Sequence, residues 1–517
     1  MWCCCQPSLS SSASRPMPSG GCGQGRARRE YAPVTQATGA EVMADCCGNE
    51  APGGPYDLAV IGAGSAGFSA AITGAEHGAH VALIGHGTIG GTCVNVGCVP
   101  SKTLIRAMDA VHQANAANRF AGVSAQGRLK DWAALRRQKD ELVASLRQAK
   151  YADLLPAYNR LTYIEGKARL TNGGIALDGQ QISARRIIIA TGSREYVPPI
   201  SGLDETPYLT STSAFELDAL PESMIVLGGG YIGCELAQMF ARAGVRITLL
   251  FRSRPLPAAE PEISAALADV FRSEGIKVLQ VEAYERVRDA KEGVALHVLA
   301  KGKARVLKAG RLLLCAGRVA NSDGLGLDEA GIAVGRNGGI QVDACMRTSR
   351  EGVYAAGDVT GRDQFVYMAA YGARIAARNA LEGDRLRYDA TAMPAVVFTD
   401  PQAASVGLSE AAAREAGMAV RTSLLRLDAV PRALAARDTR GLIKLVAEAE
   451  SGRLVGAHIL APEGADSIQT AALAIRQGMT YRELGETIFP YLTTVEGLKL
   501  AAQTFDMDVS KLSCCAG

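Results

Sequence analysis

The sequence predicts an α/β chain built on two doubly wound units of the Rossmann type, and three observations predict it. Glycine is abundant, at 57 of 517 residues, while aromatic rings make up only 5%. That balance suits parallel sheets joined by tight turns better than a β-sandwich. Residues 57–84, DLAVIGAGSAGFSAAITGAEHGAHVALI, read as a short apolar strand, a Gly-rich turn, a small-residue helix and a second apolar strand. The same order returns at 223–250 in SMIVLGGGYIGCELAQMFARAGVRITLL.

In the first unit Gly62, Gly64 and Gly67 fill the pattern G-x-G-x-x-G. The first glycine allows the tight turn, the second lets backbone approach a pyrophosphate, and the third lets helix and strand pack closely. The helix N-terminus then faces the phosphates. Gly228, Gly230 and Gly233 repeat the spacing in the second unit, so the chain is expected to bind two dinucleotides. The competing interpretation is a pair of purely structural glycine turns. The end of the second strand should read the ribose. In the second unit that place holds Arg252 and Arg254, which favour the 2′-phosphate of NADP over NAD. A solvated basic turn is the bland alternative. In the first unit the corresponding place is Gly85, where a carboxylate is expected. Weak retention of the dinucleotide follows as an expectation, with Gly85→Glu tightening it.

Length and charge bound the function. At roughly 100–200 residues per domain the chain holds about three or four domains. It carries 55 basic and 52 acidic residues, which argues against a dedicated nucleic-acid or membrane-surface binder. No apolar run reaches the roughly 18 residues that a membrane span needs.

The 13 cysteines are grouped rather than spread as a disulfide framework. Cys3, Cys4, Cys5, Cys22, Cys46 and Cys47 lie in residues 1–50. That segment is expected to be a disordered extension, or sequence upstream of a true start at Met43; an organelle transit peptide is the less favoured reading. Cys234, Cys315 and Cys345 sit singly in apolar stretches and are expected to be packing residues. Cys514 and Cys515 are adjacent near the end, better placed as two thiols offered to something else than as a bridge.

The remaining pair, Cys93 and Cys98, lies in GGTCVNVGCVPSKTLIRAMDAV, with glycines before it and a helical pattern after it. Thiols at a helix N-terminus have lowered pKa values because the helix dipole favours thiolate. Lys102, one turn beyond Cys98, can add positive charge, and Glu235 is its candidate partner. A structural disulfide is the alternative.

From about Tyr56 onward these features resemble the FAD-dependent pyridine nucleotide–disulfide oxidoreductases. IIIATGS, LLLCAGRVAN, VYAAGDVT and FTDPQAASVGLSE add to the resemblance. It implies a homodimer and a C-terminal α+β dimerisation domain after the two Rossmann-like domains. The implied layout is an FAD-binding first part at 51–198, an NADPH-binding domain at 199–322, a return to the FAD/central domain at 323–389, and the dimerisation domain with its Cys-Cys tail at 390–517. Gly91, Thr92, Thr191, Gly192 and Lys102 are implied at the FAD, and Asp358 at its ribityl chain. Cys98 is implied as the sulfur beside the flavin and Cys93 as the exchanging one. Lys102 would sit near the flavin N5, paired with Glu235, and Tyr231 would gate the nicotinamide pocket.

The substrate turns on a replaced residue. Family members that reduce disulfides carry a His-Pro near the C-terminus, with a Glu five residues after the His, and the His protonates the leaving thiolate. Here the stretch is FPYLTTVEG: Tyr491 holds the His place and Glu496 keeps the Glu place. A phenol with pKa near ~10 is a poor proton shuttle at neutral pH. A soft metal ion needs no such acid, and thiolates are its preferred ligands. Redox pair, Tyr491 and terminal Cys514–Cys515 together resemble the mercury-reducing members of the family. They imply Hg(II) as substrate, held by Cys93, Cys98, Cys514 and Cys515, with Tyr231 and Tyr491 assisting transfer. Inorganic mercury and low-mass thiols are the implied partners, active sites are shared between subunits, and the setting is cytoplasmic. An NADPH-dependent thiol–disulfide reductase and a metal-binding flavoprotein with little turnover remain as alternatives.

Overall fold

The computed structural model describes residues 55–291 and 293–508. The 1–50 extension and the Cys514–Cys515 pair lie outside the described residues.

Three five-stranded sheets organise the chain. The first is parallel, in the order Val353–Ala355, Ala184–Ile189, Tyr56–Ile61, Val81–Gly85, Leu161–Glu165. Its inner strands carry apolar residues at successive positions, and Leu58, Ala59 and Val60 are all fully buried. A parallel strand covered by helices or loops on both faces requires that pattern. The second sheet is also parallel, in the order Lys277–Gln280, Arg246–Phe251, Ser223–Leu227, Arg311–Leu314, Leu209–Thr210. The third is antiparallel: Ala395–Val397, Gln402–Gly407, Leu454–Ala461, Leu442–Glu448, Val420–Arg426. It packs against the helices Gly464–Arg476 and Glu496–Gln503.

Long-range packing places the site. The helix Ser65–Glu76, which follows the first glycine turn, lies along the helix Val366–Glu382. Small buried residues on both, Gly67, Ala70 and Ala71 against Ala369, Ala373 and Ala376, permit the close approach. The segment before the second helix is thereby drawn to the glycine turn. The strand order carries the same message, because Val353–Ala355 adds to the edge of the first sheet after the chain has built the second. No helix among the described residues is long and apolar enough to cross a membrane.

Candidate active site

The two glycine turns have the same geometry. Gly62 has φ +119°, and a Cβ there would lie 2.2 Å from the Ala190 carbonyl oxygen; Gly228 repeats this with φ +119° and 2.2 Å to the Cys315 carbonyl oxygen. A Cβ on Gly67 would meet the Gly62 oxygen at 1.6 Å, and one on Gly233 the Gly228 oxygen at 1.8 Å. Turn and helix are therefore in backbone contact, which only glycine allows. Gly230 faces open space. Gly64 faces Gly91, whose own Cβ would meet the Gly64 Cα at 2.6 Å. The helices Ser65–Glu76 and Tyr231–Arg242 begin without a side-chain cap or an acidic residue in the first turn. Their first N–H groups are left for an anion.

A continuous cavity of about 2350 Å³ joins the turns. Ordinary small-molecule pockets measure about 300–1,000 Å³, so this volume suits two dinucleotides meeting end to end. Gly62, Gly64, Gly91, Thr92, Cys93, Cys98, Lys102, Thr191, Gly192 and Asp358 line one part, and Gly228, Gly230, Tyr231, Glu235, Arg252 and Arg254 line the other. Asp358 sits where the two long helices converge. One of its carboxylate oxygens accepts a 2.7 Å hydrogen bond from Ser193, whose Oγ accepts from Arg318 Nε at 2.8 Å. Thr191 is fixed by reciprocal bonds with Asn321, 2.7 Å from its hydroxyl and 2.9 Å to its carbonyl. These donors, acceptors and bare glycine backbone fit a flavin dinucleotide.

The cysteines occupy two consecutive helices. Cys93 lies in Gly91–Asn95, and Cys98 opens Cys98–Asn115. Both are free and half-buried. Cys98 is lowered to about 7, chiefly because the Cys93 thiol donates a hydrogen bond to it; burial opposes this and the Lys102 charge assists. Cys93 is raised by the same hydrogen bond, with burial adding to it. The pair therefore divides into a thiolate at Cys98 and a thiol at Cys93. Lys102 Nζ reaches Glu235 Oε2 at 2.7 Å. The other Glu235 oxygen accepts the Phe398 N–H at 2.9 Å, and Lys102 stands 5.0 Å over the Phe398 ring centre. Sequence reasoning missed Phe398, since nothing local marks a residue whose contacts are 163 and 296 positions away by chain numbering.

Tyr231 is the first residue of its helix and packs on Phe365, with centroids 5.8 Å apart; Phe365 stacks on Tyr367 at 5.3 Å. Burial raises the Tyr231 phenol above its usual range. Tyr491 and Glu496 are not brought to the cavity of their own chain. Tyr491 is 49% exposed, and the buried Glu496 carboxylate accepts the Leu492 N–H at 3.1 Å. Glu496 thus pins the turn that presents Tyr491, although no histidine is there to orient.

Three expectations change. Arg254 is engaged in part: its Nη2 donates to the Pro257 and Ala259 carbonyls at 3.0 and 2.9 Å, while its buried Nε has no partner among the described residues. Arg252 makes no side-chain hydrogen bond or ion pair among the described residues, so its whole guanidinium is available to a phosphate; both arginines line the cavity. Gly85 does not mark an empty carboxylate place. A Cβ there would lie 2.5 Å from the Tyr163 hydroxyl and 2.8 Å from the Ala63 Cβ, so Gly85→Glu collides instead of tightening FAD. Cys234 and Cys345 are buried, as a packing role requires, whereas Cys315 also lines the cavity.

Residues 56–377 match the family described as pyridine nucleotide-disulphide oxidoreductase, and residues 393–502 match its dimerisation domain. The chain is 47% identical to a mercuric reductase of Streptomyces lividans, over 89% of this chain and 98% of that one. It is 46% identical to one of Lysinibacillus sphaericus, over 89% and 85%. An HOCl-induced flavoprotein disulfide reductase of Escherichia coli, solved as a Cu(II) complex, superposes with a TM-score of 0.77 at 30% identity, covering 87% of this chain and 99% of that one. Two glycine turns joined by one cavity, with the family's two domains matched in order along the chain, leave one assignment: the chain belongs to the pyridine nucleotide-disulphide oxidoreductase family.

Proposed function

We propose that the chain is a mercuric reductase, taking two electrons from NADPH and delivering them to Hg(II), with Hg(0), NADP⁺ and a proton as products. The observation that carries the reading is the identity to enzymes of that name along nine-tenths of the chain, 89% for the Streptomyces lividans relative. The site chemistry agrees with it. FAD, when bound, supplies the two-electron relay between the nicotinamide and the cysteine pair. Cys98 is the resting thiolate, kept charged by Cys93 and Lys102. The two sulfurs can share one soft cation, and the Cys93 proton leaves as the ion binds. Glu235 holds Lys102 in place from the second sheet's helix, so the two nucleotide units are tied at the reacting centre. Tyr231 and its aromatic neighbours cover the nicotinamide side.

Tyr491 and Glu496 belong to the C-terminal domain, which forms the dimer. In that dimer the Tyr491 turn of one subunit completes the site of the other. Cys514 and Cys515 follow the same domain and pass Hg(II) from low-mass thiols to Cys93 and Cys98. Arg252 selects NADPH. The reaction belongs in the cytoplasm, where thiols are kept reduced. The test is anaerobic NADPH oxidation by the purified protein, followed with and without Hg(II), with the released vapour assayed for Hg(0). Stoichiometric Hg(0) is expected. NADPH oxidation driven by disulfides, with no Hg(0), would instead establish a thiol–disulfide reductase.

A further inference from the structure

The loop that follows the second strand of the second unit, residues 252–260, is held along its whole length. Arg252, Arg254 and Pro257 line the cavity, as does Gly229 of the glycine turn. The Arg252 carbonyl accepts Gln280 Nε2 at 3.0 Å. In mid-loop Leu256 is 1% exposed and has φ +49°, a left-handed conformation uncommon for a bulky residue. Its N–H donates to the Gly229 carbonyl at 2.7 Å. The loop therefore holds the turn that a dinucleotide's pyrophosphate approaches.

At the far end Glu260 is the N-cap of the helix Pro261–Ser273, yet its side chain makes no capping bond there. It turns instead to the dimerisation domain. Glu260 is buried; its Oε2 accepts Lys444 Nζ at 2.9 Å and its Oε1 accepts the Glu410 N–H at 2.6 Å. Lys444, equally buried on the strand Leu442–Glu448, also reaches Glu262 Oε1 and Glu410 Oε2, each at 2.9 Å. Leu256 and Ile263 share one apolar core with Ala403, Leu442 and Leu460 of the C-terminal sheet. That core already joins the two domains, and a buried ion pair adds little stability over an apolar replacement. What the pair supplies is a fixed position for Glu260. The residue before it, Ala259, donates its N–H to the Leu256 carbonyl at 2.9 Å and gives its own carbonyl to Arg254. The tie thus runs from Lys444 through Glu260, Ala259 and Leu256 to Gly229.

We propose that Lys444 and Glu260 are positioning residues for the nicotinamide nucleotide: from the dimerisation domain they fix the loop that braces the Gly228–Gly230 turn. The assignment rests on NADPH being the nucleotide of the second unit.

The experiment titrates the holoenzyme with NADP⁺ and NAD⁺ by calorimetry, then follows flavin reduction by NADPH. Glu260→Ala leaves Lys444 with two carboxylates, so no buried charge is stranded. It should bind both nucleotides roughly 3- to 10-fold more weakly, while flavin reduction at saturating NADPH keeps the wild-type rate. Glu260→Asp keeps the charge and shortens the reach, and should shift binding the same way by less. Added to Arg254→Ala, Glu260→Ala should weaken binding no further, because both act on one brace; added to Arg252→Ala, its full factor should persist. Wild-type affinity for both nucleotides in the two Glu260 variants would overturn the proposal and leave the cluster as a weld between domains. So would a Glu260→Ala loss that is undiminished beside Arg254→Ala. Equal affinity of the wild type for NADP⁺ and NAD⁺ would fault the role of Arg252 alone, since the brace is read with either nucleotide. Binding of neither would overturn the nucleotide reading, and the brace with it.

Discussion

Lys102 stands between two charges with opposite needs, and removing it should expose both. Its Nζ is 2.7 Å from Glu235, whose side chain is 5% exposed, while Lys102 itself is 33% exposed. Lys102→Met leaves the carboxylate buried with one backbone N–H. Removing one member of a buried pair costs about 3–5 kcal/mol. Water reaches the lysine end, so a loss nearer ~2–3 kcal/mol is expected. Lys102→Met/Glu235→Gln should regain most of it, because the stranded charge goes too. The thiolate responds separately. Lys102 lowers Cys98 and Glu235 raises it, with the lysine the larger of the two.

The variants should therefore rank by the pH at which Cys98 ionises. Glu235→Gln falls lowest, then the wild type at about 7, then the double variant, then Lys102→Met highest. Residues four apart on a helix lie about 5–6 Å apart at Cβ, and one charge at that range, discounted for water, shifts the midpoint by about one pH unit. The assay is the rate of alkylation of the reduced pair against pH, with the modified sulfur assigned by mass spectrometry and stability read from the urea concentration that releases flavin. A Lys102→Met protein that still titrates near 7 would refute the electrostatic account. A double variant no more stable than Lys102→Met would refute the account of the buried carboxylate.

Arg252→Ala should raise the KM for NADPH at least ~10-fold with little change for NADH, whereas Arg254→Ala should weaken both alike, since its guanidinium braces the Pro257 and Ala259 carbonyls. Steady-state kinetics with the two nucleotides separates them, and parallel losses in Arg252→Ala would count against a 2′-phosphate contact. Glutathione disulfide should be reduced at least ~10²-fold more slowly than Hg(II), because no histidine stands at the Tyr491 turn; rapid NADPH oxidation with glutathione disulfide alone would contradict the assignment. Cys514→Ala/Cys515→Ala should lose turnover with dithiol-bound Hg(II) while stopped-flow flavin reduction by NADPH is unchanged; full turnover would leave the terminal pair without a role in delivery.

What the sequence revealed and what it concealed divide along a physical line. The glycine turns were legible because their constraint is local: Gly67 must lack a Cβ for a reason five residues away, at Gly62, and the helix pitch carries that reason into the spacing. Cys98 and Lys102 were legible for the same cause, being one turn apart. Glu235 was reachable only because it lies early in the repeated unit's helix. The departures lie wherever a neighbour from another strand or loop decides the outcome. Arg254 looks wholly free in sequence, but one of its nitrogens is taken by carbonyls of its own folded loop. Gly85 looks like a lost acid until Tyr163 is seen across the sheet. Strand register converts a separation of 78 residues between Gly85 and Tyr163 into a van der Waals contact, and no periodicity records it. A residue that breaks a motif is thus a question about its cross-strand neighbour: a missing side chain leaves volume, and close packing requires that something fill it, here the Tyr163 ring.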